Sequence, residues 1–546
     1  MELLEKPKKR VAVIGSGLAG LSTAYFLQQG GFVVELFERG ASAGMDVASV
    51  DVDGHRVDVP FRVFTPDYYP CLAALYAHLG IATAAADYSL AFSRADGSTL
   101  WSYTNASVGD FQVPIPDSVS GAEERAIARD WTRLLFASAC AVRTPHGLRA
   151  GGPLDVGMGR YLAEHRYGDV FTAGVLLPFL ASVFTCSLAA AAAYPANAVL
   201  HFVAKAAFGA RLRKARAGVS DVCRRLLQGQ THVHYNAPVA RITKDLTVVL
   251  ESGDERQFDA VVVATPADTA RALVAEAAPA LGRALAAIEY EDACVVTHRD
   301  PGVMPRDAGA WRGVNIAGGG ARAQATHWLN YVEETSTGRA FATPLFQTVD
   351  PRPKCGGRVG AAGFHRSLLS VASQRAVDDI HQAQGPQVWA VGAYAAPGVP
   401  LLEGCVRSAA DVAVGLGARL PVAVPLLRRM GADGSSYDVG LAPGMARGEA
   451  VGAYYERDAA GTFDFQRPGV GVLSRDPGRW ARMWLAWLVF ASIPAFAATL
   501  AAADTVLAAA LGPRAARRVQ MGVLDALLYM VCTLCLAIRR VSRHIS

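Results

Sequence analysis

An α/β fold is expected from three observations. The chain opens with Val11-Ala-Val-Ile-Gly-Ser-Gly-Leu-Ala-Gly20, an apolar strand that turns on glycine into an apolar helix. A second run, Asp259-Ala-Val-Val-Val-Ala-Thr-Pro266, has the unbroken β-branched character of a strand covered on both faces of a parallel sheet. A short third strand, Val388 to Gly392, brings the chain back to that sheet after a long excursion. Together they predict a Rossmann-like domain assembled from separate segments, an inserted α+β domain, and an apolar helical tail at the C-terminal end.

The opening glycines each have a mechanical task. Gly15 turns the chain, and Gly17 lets backbone approach a pyrophosphate with no Cβ in the way. Gly20 lets the helix pack closely on the sheet, its N-terminus facing the phosphates. The apolar helix carries Leu18, Leu21, Ala24, Tyr25 and Leu27. A second strand, Phe32 to Phe37, ends in Glu38, 23 residues after Gly15. A carboxylate there accepts hydrogen bonds from a ribose hydroxyl and disfavours a 2′-phosphate. A dinucleotide site follows, with NADP disfavoured.

Composition is globular but oily: 52% apolar, 18% charged, with a mean hydropathy of +0.22 over 546 residues. The net charge is +5, and residues 479–546 hold eight arginines against Asp504 and Asp525, so the remainder is at −1. A basic excess confined to an apolar tail suits an anionic membrane face and excludes a nucleic-acid surface. Nine scattered cysteines lack the spacing of a zinc site or a disulfide framework, and the C-x-x-C of Cys532 and Cys535 lies inside an apolar run. No metal site is expected. The first ten residues have no apolar h-region, so a reducing, cytosolic compartment is expected for the nucleotide domain.

The expected organisation is a nucleotide domain in three parts, 10–103, 231–275 and 386–415, with a substrate domain inserted as a helical part, 104–230, and a β-rich part, 276–385. Within the helical part, Gly174 to Leu200 carries no charge. Pro178, Pro195 and the soluble pattern that follows favour buried helices lining an apolar cavity over a membrane span. Residues 416–478, rich in Gly, Pro and charge, read as a linker. In the tail of 479–546, Met483 to Ala503 and Val519 to Ile538 are long enough to cross ~30 Å of hydrocarbon as helices. Trp480, Trp484 and Trp487 stand at the entrance, and arginines flank both runs, so membrane association is expected, as a hairpin or as helices in the interface.

Val11 to Gly20, Glu38, Gly44, Pro238-Val-Ala-Arg-Ile242, Val261 to Pro266, Gly392 and Glu403-Gly404 stand in the order found in FAD-dependent amine oxidases and carotenoid desaturases, which this chain resembles. Within that superfamily it is most similar to the NAD/FAD-binding oxidoreductases often encoded beside cyclopropane-fatty-acid synthases. That likeness rests on Tyr69-Pro70 with Leu79-Gly80, Leu176-Leu177-Pro178 and Arg216-Ala-Gly-Val-Ser220. It rests also on His298 with Asp300 and Pro305, Trp311 with Asn315, and Trp328-Leu-Asn330. The resemblance covers about residues 10–415.

The resemblance implies FAD as cofactor. Gly15, Gly17 and Gly20, with Leu18 and Ala19, would hold its pyrophosphate; Glu38 and Arg39 would serve the adenosine end, and Val239 would offer backbone to the adenine. Gly392 and the Glu403-Gly404-Cys-Val-Arg segment would lie by the flavin end, where a helix starting near Glu403 would present N–H groups to an electron-rich ring edge. Three departures stand out. Met45 follows Gly44 where a second glycine is usual, Pro60 stands where a glycine is usual, and the family's water-positioning lysine has no counterpart in a motif. No catalytic residue is assigned: His298 with Asp300, Tyr394 and Cys405 are candidates that suit structural roles as well.

The expected function is a membrane-associated FAD-dependent oxidoreductase that takes a hydride from a lipid-like or isoprenoid substrate, its flavin domain facing the cytosol. An amine substrate stays open, as does the electron acceptor. Two rivals remain: a redox-neutral flavin-dependent isomerase of an unsaturated lipid, and a non-catalytic membrane-tethered flavoprotein.

Overall fold

The computed structural model describes residues 9–422 except 46–47, 109–110, 142–153, 209–210, 231, 339–340 and 352–354, together with residue 424 and four strand pieces, Arg429–Met430, Ser436–Tyr437, Tyr455–Arg457 and Phe463–Phe465. The tail of 479–546, with both apolar runs, its tryptophans and the C-x-x-C, lies outside the described residues.

Five parallel strands form the nucleotide-domain sheet: β1 (Arg10–Ile14), β2 (Val33–Phe37), β3 (Val233–His234), β4 (Ala260–Val263) and β5 (Val388–Ala390), in the order β3-β2-β1-β4-β5. The expected return of the chain to one sheet from distant segments is therefore realised strand by strand. Alternate residues of β1 feed two cores, as the two-residue period of a strand requires. Val11 and Val13 join one cluster with Leu21 and Phe26, while Ala12 and Ile14 join another with Ile242, Val248 and Leu273. Glu35 of β2 ties neighbouring strands, accepting from Arg10 at 2.7 Å and from Arg256 at 2.9 Å.

Helix α1 (Leu18–Gln29) contains no charged residue, because it is buried between the sheet and α2 (Leu402–Gly415). Its N-terminus and that of α2 both point toward the carboxyl ends of β1, β4 and β5. A three-stranded antiparallel sheet, Val239–Ile242, Thr247–Leu250 and Glu255–Gln257, lies beside β3 in the chain.

The second sheet has eight strands, in the spatial order Arg358–Ser367, Tyr290–His298, Phe346–Val349, Gln324–Trp328, Val314–Ala317, Leu90–Ser93, Thr99–Val108 and Phe111–Pro116. Two of these come from residues 10–103, and a third follows within the segment expected to be helical. The reason is local: a turn at Gly97, with φ +81°, folds Leu90 back opposite Tyr103, and the antiparallel ladder then continues into Phe111–Pro116. Both sheets thus draw on the first segment.

The uncharged stretch folds as short pieces: a π-helical turn at Thr172–Leu176 and helices Leu177–Phe184, Leu188–Ala193 and Ala196–Phe208. Thr185, at φ +56°, ends one of these, and Pro195 separates the last two. No helix among the described residues is long and apolar enough to cross a membrane. Val175, Leu176, Leu180, Val199 and Leu200 are instead buried in the core.

One contact fixes how α1 meets the sheet. A Cβ on Gly20 would stand 1.9 Å from the Gly15 carbonyl oxygen and 3.1 Å from Ala264 Cβ. Gly20→Ala is therefore expected to lower stability by on the order of 3 kcal/mol through overpacking against backbone that cannot yield, measured by denaturant unfolding.

Candidate active site

A cavity of about 550 Å³ opens where the two helix N-termini converge. Such a volume suits a small-molecule site, typically about 300–1,000 Å³. Gly17, Leu18 and Ala19 of the α1 turn line one end, with Ala264, Thr265 and Pro266 after β4, Gly392 to Tyr394 after β5, and Leu401 and Leu402 at the start of α2. From there the cavity continues between Trp131, Phe179, Val183, Phe184, Phe202 and Val203 of the helical layer.

The three glycines divide their work as their surroundings dictate. Gly15, at φ +101°, has Ala264 O 2.9 Å from where a Cβ would be, and Gly20 is closed off likewise. Both serve the turn and its packing, and neither lines the cavity. A Cβ on Gly17 would meet nothing within 4 Å, so this one glycine borders open space at the helix end. With the N-terminus of α1 aimed there and that of α2 opposite, the cradle fits a phosphate-bearing, electron-rich cofactor.

Glu38 stands at the end of β2, half-buried, where its carboxylate accepts from Ser16 N at 3.0 Å, from Ser16 Oγ at 2.5 Å and from Gly40 N at 2.7 Å. It thereby shapes the glycine loop as well as standing beside it. A carboxylate has about four acceptor positions, so capacity remains for a hydroxyl. Arg39 is exposed beside it. Asn236 N donates to Gly40 O at 2.9 Å and Ala237 N to Glu38 O at 2.9 Å, which carries the chain past Glu38 and on to Val239. Glu38, Arg39 and Val239 gather at the outer end of the groove and are not among the cavity's lining residues.

Glu403 sits elsewhere. Its carboxylate accepts from Cys71 N and Leu72 N, both at 3.1 Å, and from Arg407 Nη2 at 3.1 Å. These are the exposed donors at the start of helix Pro70–His78, and Glu403 is their cap. Its side chain locks α2 to that helix; the cavity receives its neighbours Leu402 and Cys405 instead. Gly392 lines the cavity, its N–H donating to Ser408 Oγ at 3.1 Å. Pro60 also lines the cavity, whereas Met45 is buried in the core.

His298 and Asp300 form no side-chain acid–base pair. His298 Nε2 bonds Thr348 Oγ1 at 2.8 Å inside the eight-stranded sheet, and the Asp300 carboxylate accepts from Gly302 N and Gly356 N, each at 2.8 Å. Tyr394 lines the cavity and donates to Thr265 O at 3.1 Å, clamping the end of β5 to the end of β4. Burial pushes the Cys405 thiol up to about 12, so it stays protonated at neutral pH.

Several lining side chains escaped sequence inspection. Tyr88 Oη and His327 Nε2 lie 2.6 Å apart, and burial pushes His327 down to about 4. At neutral pH this is a neutral pair able to hold a proton facing the cavity. His365 stacks on Tyr290 with centroids 4.3 Å apart and bonds Asp292 at 2.6 Å and Asp268 at 2.9 Å. Arg62, Arg211 and Arg366 also line the cavity, and no lysine is among the described lining residues. His327 adjoins Trp328, which the resemblance had drawn on, but nothing in the sequence told an inward-facing side chain of these strands from an outward one.

Two outcomes follow from this geometry. Gly17→Ala is expected to weaken flavin affinity at least tenfold, about 1.4 kcal/mol, while leaving the flavin-free protein within about 1 kcal/mol of its stability; flavin absorbance after gel filtration and denaturant unfolding measure the two. The aspartates flanking His365, first Asp292, raise its pKa above the ordinary value of 6.5. Its stabilising charge is therefore fully present below 6.5 and is lost as pH rises through the raised value. The gap in unfolding midpoint between wild type and His365→Gln should accordingly be larger at about pH 6 than at about pH 9.

Comparison with known proteins places this architecture. A family model for flavin containing amine oxidoreductase matches residues 18–341. Over 61 residues, 11% of this chain, the sequence is 44% identical to zeta-carotene desaturase of Synechocystis sp., a match spanning 12% of that protein's length. Cyclohexylamine oxidase from Brevibacterium oxydans superposes with a TM-score of 0.53 at 14% identity, over 75% of this chain and 98% of that one. The CLA-producing fatty acid isomerase from P. acnes gives 0.53 at 15% identity, over 75% and 99%. Likeness to these two structures, at such identity, speaks to fold alone.

Proposed function

Since this chain belongs to the flavin-containing amine oxidoreductase family, and is thereby a FAD-dependent oxidoreductase, we propose that it takes a hydride from a lipid-like or isoprenoid substrate. One observation supports this above others: the cavity runs without a break from the cofactor cradle into a chamber of Trp131, Phe179, Val183, Phe184 and Phe202. An apolar chain is desolvated there, at about 25 cal/mol per Å² buried, while a small soluble amine gains little from such walls. No lysine among the described lining residues stands ready to position water, a further contrast with an amine-oxidising site.

When bound, FAD supplies the hydride acceptor. The chain's own residues do the rest. The N-termini of α1 and α2 stabilise negative charge at either side of the cradle. The helical wall excludes water and holds the reacting carbon over the cofactor end. Tyr88 and His327 offer a neutral, hydrogen-bonded pair able to carry a proton in the same cavity. Recruitment of a lipid from a membrane through residues 479–546, with the flavin domain on the cytosolic side, belongs to the same proposal and rests on the arginine-flanked apolar runs of the sequence.

Anaerobic titration tests the proposal. Detergent-purified protein should lose its flavin absorbance on addition of an unsaturated lipid or polyene extract and keep it with small amines. Bleaching by a soluble amine alone would overturn a lipid-like substrate. Conversion of lipid with no net use of an electron acceptor would mark a redox-neutral isomerase instead.

A further inference from the structure

Three arginines line the cavity, and each has a buried guanidinium N–H without a partner: Arg62 Nη1, Arg211 Nε and Arg366 Nε. Among the described residues none of the three is ion-paired with a carboxylate. This is costly, because a buried donor deprived of water loses about 1–3 kcal/mol, and more when it is charged. Arg62 and Arg366 also feel one another. Burial, and then the Arg62 charge, push Arg366 down to about 10. Asp58, which feels the Arg62 charge in turn, is engaged by Val219 N at 3.0 Å and by the charge of Lys214.

The location of this cluster limits what it serves. The pyrophosphate cradle has its own donors at the α1 turn, around Gly17. Arg366 lies within electrostatic reach of Cys405, in the first turn of α2, and of Tyr194, whose ring stacks on Phe184 at 4.6 Å. It therefore stands at the junction between the cofactor end and the apolar chamber. An oxyanion at that junction would take charge-assisted, fork-shaped hydrogen bonds from the guanidinium groups that line the cavity, while an attached apolar chain entered the helical wall.

We infer that Arg62 and Arg366, with Arg211 as a third donor in the same cavity, bind the oxyanion head group, carboxylate or phosphate, of an amphiphilic substrate. This rests on the lipid-like substrate proposed above and adds a charged head to it. The pair would fix which end of the chain lies by the cofactor and reject uncharged lipids of the same length.

Equilibrium dialysis on the flavin-loaded protein tests it with three probes that share one tail: oleate, oleyl phosphate and oleyl alcohol. Both anionic probes should bind at least tenfold more tightly than the alcohol, and the tighter of the two identifies the head group. Arg62→Met and Arg366→Met should each bring that ratio close to one with the alcohol unaffected, while Arg366→Lys should keep part of the preference. Because neither charge has a carboxylate partner in the ligand-free protein, Arg62→Met should leave its unfolding midpoint unchanged, and Arg366→Met should lower it by no more than loss of the Arg366 contact with the Phe364 ring, at 4.9 Å, would. Equal binding of all three probes overturns the head-group site and leaves a lipid substrate standing; failure of all three to bind removes both. Binding of inorganic phosphate as tight as that of oleyl phosphate, or loss of flavin from either methionine variant, overturns the inference by giving the arginines to a free anion or to the cofactor's own phosphates.

Discussion

The close approach of Gly20 to the Gly15 carbonyl is the constraint on which the remaining geometry depends. With no Cβ in a gap of 1.9 Å, α1 seats against the end of β1 and its N-terminus opens into the space beyond Gly17. The opposing helix is set by a different interaction. Glu403 caps helix Pro70–His78 and pairs with Arg407, all with side chains nearly sealed from solvent. Removing one member of such a buried set costs about 3–5 kcal/mol, since the others are left charged or unsatisfied. One backbone contact and one buried carboxylate thus aim two helix dipoles at a single cavity.

How much of this was legible depends on whether a residue's role is local. The glycine turn, the buried strands β1, β4 and β5 and the start of α2 were legible because strand burial and turn chemistry show in a few consecutive residues. The uncharged stretch at Gly174 to Leu200 was legible too as wall material, since its prolines break it below membrane-spanning length. Glu403 shows the limit. Its place next to a glycine in a familiar motif pointed at the cofactor, but its partners are Cys71 and Leu72, more than 300 residues earlier in the chain. Sequence spacing carries no information about such a contact. The same holds for His327 and Arg366, on two strands of the eight-stranded sheet, and for Arg62, in the loop after the His55–Val57 strand, which meet only at the cavity.

The cavity's electrostatics follow from what the interior lacks as much as from what it holds. In a water-poor space a charge is felt over greater distance, so two helix N-termini and three unpaired guanidinium groups make one end strongly positive. Two buried cations elsewhere have carboxylate partners: Lys214 is sealed against Glu333, and Arg407 against Glu403. The lining arginines differ in having no carboxylate ion pair among the described residues, though they border the cavity.

That contrast bears also on the oily composition with which the sequence is met. An apolar stretch can be explained by a membrane or by an interior, and for one stretch of this chain the structure gives the interior. The segment from Gly174 to Leu200 is short helices whose side chains are divided between the core and the cavity wall, so its hydropathy is accounted for by burial. The basic-flanked runs beyond residue 479 lie outside the described residues, and membrane recruitment through them is part of the function proposed above. Under the proposed reading, an apolar wall and a cationic cavity would meet the two halves of amphiphile recognition separately: the wall would take the chain by area, and the arginines would choose the head by geometry.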